Sequence, residues 1–232
     1  FALHWFADLF KEQRVGDFNG SFLRSMTLAL IVMILTVAIS LAAGLAYRKN
    51  FKFSGTIFYV TVASLIVPSI LITLGIGLMF DRLGWEAQWY TSGMGAHLTW
   101  TLPFGLLIMF AIFNRFDKSY EEAARDLGAS PWQVIRYVII PIIGPSLVGV
   151  GLFGFTLSFD EFARSLLSIG SKNTLPLEIF GMTTTVTTPT LYALGTLTTA
   201  VSFLIIGISF SAIAFLERRR RRHGSDAGQG MV

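Results

Sequence analysis

A helical protein built for a lipid bilayer is what this sequence encodes. The chain of 232 residues is 53% hydrophobic and only 14% charged, whereas soluble domains carry about 25% charged residues. Apolar runs of the length a membrane helix needs, about 20 residues, recur along it between short polar loops. The last of these runs leads directly into five arginines, Arg218 to Arg222, the pattern of a membrane-edge anchor on the cytoplasmic side. The expected fold is an all-α polytopic membrane protein with five membrane helices. Its expected parts are an external segment at 1–25, a membrane domain at 26–216 and a basic cytoplasmic tail at 217–232.

Residues 1–25 are mixed polar and aromatic. Trp5, Phe6, Leu9 and Phe10 form an apolar stripe suited to a short interfacial helix. The first span is expected between Arg24 and Arg48, and Arg48, Lys49 and Lys52 follow as a basic loop. The second lies between Lys52 and Asp81, and Pro68 near its middle predicts a kink. Trp85, Trp89 and Tyr90 then suit a membrane interface. The third span runs over 96–113 with His97 near its entrance and Pro103 inside. The fourth, 137–159, carries Gly149, Gly151 and Gly154, small residues that let another helix approach closely. Residues 162–189 are too interrupted for a span; a partly inserted loop with a short helix near 177–182 is expected. The fifth span covers 191–216.

Basic residues orient the chain. With Arg218 to Arg222 inside, twelve basic residues fall inside and six outside, which is the positive-inside bias. This places residue 1 outside. The first residues hold no apolar signal core, so an additional helix before Phe1 is expected.

Several chemistries are excluded or unsupported. There is no cysteine, and the three histidines, His4, His97 and His223, lie far apart, so no metal site is expected. No phosphate-cradling G-x-x-x-x-G-K-[ST] occurs, and no H-E-x-x-H or G-x-S-x-G. The chain is expected neither to hydrolyse ATP nor to be an enzyme. The net charge of +4 sits largely in the terminal arginine run, so no nucleic-acid partner is expected.

One polar island interrupts the apolar runs, Ser119 to Pro141. Ser119 and Glu122 have capping-box spacing. Gly128 is placed to end a helix in the left-handed conformation. Ser130, Pro131 and Gln133 are a restart signal, with an N-cap, a proline at the first position and a second box partner. Two short helices over 119–135 should therefore form a knob in the water.

Within that island, Glu122-Ala123-Ala124, three residues, Gly128, nine residues, Val138, one residue and Ile140-Pro141 resemble the E-A-A-x₃-G-x₉-I-x-L-P signature of ABC-importer permeases. From first span to last, the layout is similar to the spermidine/putrescine class of type I importers. The similar stretches are 155–162, 174–182 and 188–197. Glu161 and Glu178 depart from the residues common in that class.

The resemblance implies a six-span subunit in the bacterial inner membrane. Its implied partners are two ABC ATPase subunits that use ATP and magnesium, a second and different permease subunit, and an external substrate-binding protein. The implied function is import of a small organic solute, a polyamine or another amine, by alternating access. A self-contained channel or secondary transporter is the alternative.

The knob's implied coupling residues are Tyr120, Glu121, Glu122, Ala123, Ala124, Leu127, Gly128, Trp132 and Pro141. Ala123 and Ala124 allow close approach, and Tyr120, Leu127 and Trp132 supply apolar anchors. Glu121 and Glu122 suit basic groups of the partner, and Glu122 equally suits capping its own helix. For the solute, Asp160 and Glu161 read either as a cation-attracting pair in the pathway or as a solvated pair bridged to Arg164. Trp100, Phe159 and Phe162 read as cation–π partners or as ordinary packing.

Overall fold

The computed structural model describes residues 4–8, 17–49, 51–185 and 189–225, and every regular element among them is a helix. Helix α1, His4–Asp8, brings Trp5 and Phe6 against a buried cluster below it. Leu9 and Phe10, the rest of the expected stripe, lie outside the described residues.

Helix α2, Phe18–Tyr47, is the first expected span and the organising element. It starts at Asp17, whose carboxylate accepts from the Gly20 N–H at 2.8 Å. Its buried positions Leu28, Val32, Thr36, Ser40 and Gly44 recur every four residues, which makes one face of the helix. That face is small and hydroxyl-bearing, so neighbours come close.

The second expected span does not form one kinked helix. It divides into α3, Ser54–Ala63, and α4, Ser69–Arg82. Pro68 stands at the N-cap of α4 in an extended conformation with ψ 130°. Proline disfavours the helical conformation in the residue before it and lacks the N–H to continue a ladder. The chain therefore breaks rather than bends.

A π turn at Trp89–Gly93 opens into α5, Met94–Asn114. Helix α6, Ser119–Asp126, and the one-turn α7, Pro131–Val134, follow. A second π turn, Ile135–Ile139, joins α7 to α8, Ile140–Phe159. After an irregular segment come α9, Leu175–Thr185, and α10, Pro189–Ser225. The last expected span lies inside α10, whose final turns carry the arginine run.

Three helical stretches among the described residues are long and apolar enough to cross a membrane: Phe18–Tyr47, Trp89–Asn114 and Pro131–Phe159. They pack on one another. A methyl group on Gly105 of α5 would collide with Ser40 Oγ, and one on Gly154 of α8 would lie 3.3 Å from Thr36 Cβ. Gly151 faces Val37 in the same way, whereas Gly149, grouped with them in the sequence, has open space beside it. Thr36 Oγ1 donates to Thr101 Oγ1 at 2.8 Å, a polar stitch between α2 and α5 of the kind small-residue membrane interfaces allow.

Two buried clusters flank this crossing. Met109, Phe113, Val134, Ile139 and Ile143 gather beneath the knob. Phe18, Phe155, Phe159, Leu175 and Leu194 gather at the other end of α8.

Candidate coupling knob and substrate segment

The knob is built from two termini and a turn. Asp117 Oδ1 accepts from the Ser119 N–H at 2.9 Å, an Asx turn that starts α6. The expected Ser119–Glu122 capping box is absent; the N-cap position is Lys118, with no side-chain cap. Asp117, two residues upstream, occupies the donor that the box would have used. Glu122 is exposed to solvent.

The far end of α6 behaves as the sequence indicates. Gly128 has φ 85°, its N–H donates to the Arg125 carbonyl, and the Ala129 N–H donates back to Ala124. This is a Schellman motif, and the positive φ favours glycine. The Ser130–Gln133 box forms in full, with the Ser130 N–H on Gln133 Oε1 at 2.7 Å and the Gln133 N–H on Ser130 Oγ at 3.4 Å. Pro141 cannot donate to the Tyr137 carbonyl. The ladder widens just before it, and the Ile140 N–H reaches Ile135.

These devices fix which side chains face the water. Leu127 is 90% exposed, Trp132 65% and Tyr120 56%. Ala123 is open beside them, and Ala124 packs down onto the cluster below. Glu121 differs from its neighbour. It is buried and paired within the chain, to Arg48 and to Arg125 at 3.8 Å. Glu121, expected to meet a partner's basic group, is here engaged within the chain, on the side of α6 that faces the end of α2.

At the opposite end of α8, residues 160–174 form an irregular segment stitched to four helices and a π turn. Thr73 Oγ1 of α4 donates to the Arg164 carbonyl at 2.8 Å and accepts from the Leu167 N–H at 3.2 Å. Ser92 Oγ donates to the Ser168 carbonyl at 2.5 Å. His97 lies between Ser158 Oγ, 2.8 Å from Nδ1, and Ser165 Oγ, 3.0 Å from Nε2. The Leu175 N–H donates to Ser25 Oγ of α2 at 2.7 Å. Glu178 closes the end by accepting from the Asp17 N–H and from Asn173 Nδ2, both at 2.8 Å.

The five solute candidates separate. Asp160 is exposed at the C-cap of α8, beside a recess of about 250 Å³ lined by Phe159, Leu175, Pro176, Ile179 and Thr198. Glu161 Oε1 accepts from the Arg164 backbone N–H at 2.9 Å, and no Glu161–Arg164 side-chain ion pair is present. The Trp100 ring holds a cation from within the chain, with Arg164 Cζ 4.6 Å from its centre. Phe159 is 2% exposed and stacks on Phe155 with centroids 5.7 Å apart, so packing occupies it. Phe162 leans on Phe180 at 4.9 Å.

Arg164 itself went unread in the sequence as a buried group. It is fully buried, Nη1 donates to Thr99 Oγ1 at 2.6 Å, and Nε and Nη2 have no hydrogen-bond partner among the described residues. Arginine three residues after a carboxylate suggests a surface pair; only the folded segment reveals the burial.

A capped knob with an open apolar face thus stands on a bundle of membrane-length helices. A family model described as the binding-protein-dependent transport system inner membrane component matches residues 34–222. The chain belongs to that family. It is a membrane permease subunit of an ABC importer, a class that works with ATPase and substrate-binding partners.

The permease is 31% identical over 215 residues to the spermidine/putrescine transport system permease protein PotC of Haemophilus influenzae, covering 90% of this chain and 80% of the relative. It is 26% identical to the putrescine transport system permease protein PotI of Escherichia coli, covering 99% and 83%. Among solved structures, its fold matches the inward-facing MetNI methionine ABC transporter with a TM-score of 0.67 at 16% identity, covering 84% of the permease and 94% of that chain. The polytopic helical fold and the permease assignment expected from the island's spacing both stand.

Proposed function

We propose that this permease carries a small organic amine, a polyamine or a close relative, across the bacterial inner membrane by alternating access. The names of its relatives support the amine. Asp160, an exposed carboxylate beside a recess next to the membrane segment, supports a cationic solute.

The observation that carries the energetic half of the reading is the open face of Tyr120, Leu127 and Trp132 on a rigidly capped knob. Exposed aromatic and aliphatic anchors of this kind mark a docking surface. Two ATPase subunits seat the knobs of this chain and of a second, different permease subunit. ATP and magnesium act in those ATPases, and this chain contributes no catalytic group. The knob and the C-terminal arginines lie in the cytoplasm, and a binding protein delivers the solute from outside.

The test is reconstitution of the whole assembly in liposomes with a screen of amines. Diamines and triamines should stimulate ATP hydrolysis and enter the vesicles. Uptake without any ATPase subunit would instead establish the channel or secondary-transporter alternative.

A further inference from the structure

We propose that the Arg48–Glu121 ion pair is the strut through which movement of the knob reaches α2, with both groups acting as positioning residues for transport. The inference rests on the coupling reading above.

The argument starts from burial. Glu121 and Glu122 are adjacent acids on a short helix, and either would be expected to sit in water. Glu122 does, but Glu121 is 8% exposed. A carboxylate leaves water at substantial cost unless a cation meets it, and Arg48 meets it. Nη2 of Arg48 donates to Glu121 Oε1, and the two side chains are 18% and 11% exposed.

The cation is itself immobilised. Its Cζ lies 5.0 Å from the centre of the Phe113 ring and 5.5 Å from that of Phe116. One turn back, Gly44 brings α2 so close that a methyl group there would stand 2.8 Å from the same Phe113 ring. Tyr47, beside Arg48, is pinned edge-on to Phe110 at 5.0 Å. The end of α2 therefore has little freedom of its own.

The knob, by contrast, holds α6 between two short connections, 115–118 and 127–130. Its open anchors, Tyr120, Leu127 and Trp132, leave the face bearing Glu121 turned inward. A push on the anchors moves α6, and the charged link bears directly on α2. Helix α2 packs against both α5 and α8, so this link feeds the helix with access to the rest of the bundle. A charge pair can be tested directly, by removing or exchanging its ends.

The experiment uses the complete importer in liposomes, reading solute moved per ATP hydrolysed. Glu121→Gln and Arg48→Met should assemble with the ATPases as the parent does, yet hydrolyse roughly tenfold more ATP per solute, within the usual span of coupling energies. Arg48→Lys, which keeps the charge but not the planar fork, should fall between. The swap Arg48→Glu with Glu121→Arg should recover coupling relative to either single reversal.

An unchanged ratio in correctly assembled Glu121→Gln and Arg48→Met overturns the strut. Equal damage in the swap and both single reversals does so too, because a structural fault would not respond to charge order. If the unmodified permease fails to assemble with ATPases at all, the coupling reading fails instead.

Discussion

The Arg164 guanidinium lies over the Trp100 ring, 4.6 Å from its centre, inside the permease and away from water. Desolvated cation–π contacts contribute about 2 kcal/mol. Trp100→Leu should therefore lower the stability of the purified permease by about that amount, read as a fall in its thermal midpoint. Arg164→Lys should also be destabilising, because an ammonium neither stacks nor reaches Thr99 with the same fork. Equal midpoints for parent and Trp100→Leu would show that the contact contributes nothing.

Gly105 and Gly149 should respond oppositely to alanine. A methyl group on Gly105 strikes Ser40 Oγ and lies 3.0 Å from Thr36 Cγ2, whereas one on Gly149 meets nothing within 4 Å. Overpacking costs about 1–3 kcal/mol, so Gly105→Ala should be destabilised. Gly149→Ala should gain a few tenths of a kcal/mol from helix propensity. Thermal unfolding in one detergent ranks the two, and the reverse order would refute the α2–α5 crossing.

Ser130 and Ser119 form a second contrasting pair. Ser130→Ala removes a working N-cap and should cost about 1 kcal/mol. Ser119→Ala should be close to silent, because Asp117 caps that helix. Limited proteolysis of the 115–135 region, read as the cleavage rate of each variant, reports the difference.

The Asp117 carboxyl is held below its ordinary value of 3.8, first by the Ser119 backbone N–H and then by the Ser119 hydroxyl. A lowered folded value means the charged form is favoured in the fold. Its contribution is complete above the ordinary carboxylate range and is lost as pH falls through the lowered value. Cleavage of the knob should therefore accelerate only on acidification below about pH 4, and Asp117→Asn should flatten that rise. A cleavage rate equal in the two proteins across the range would exclude the cap.

Docking should depend on the apolar anchors more than on charge. Leu127→Ala with Trp132→Ala removes two exposed anchors, and interface anchors of this kind contribute about 2 kcal/mol or more each. ATPase co-purification should be lost, while Glu122→Gln should weaken it less. Retention of the ATPase by the double variant would place the docking face elsewhere.

Much of the fold was legible because membrane helices are written in hydropathy. The first, third and fourth spans emerge from uncharged length alone. The Ser130–Gln133 box and Gly128 emerge because their chemistry is local. What escaped were properties set by tertiary neighbours. Pro68 signals an interruption in a helix, but whether it bends or breaks depends on surroundings that the sequence does not display. Glu121 and Glu122 are chemically alike in the sequence, and only the angle of α6 against α2 decides which is buried. Arg164 escaped for the same reason: its burial depends on residues from α4 and α5 closing around a segment with no regular periodicity.

The segment at 160–174 also carries a consequence for how the permease is made. Its backbone has no helix or strand to satisfy it, and lipid offers no hydrogen bonds. Partners that reach it from other elements include Thr73, Ser92, His97 and Arg24, all of which precede it in the chain. It can set only after those elements have been inserted and gathered. During biogenesis the segment is thus a late checkpoint, and a chain with one helix misplaced leaves unpaired amides in the bilayer for quality control to find.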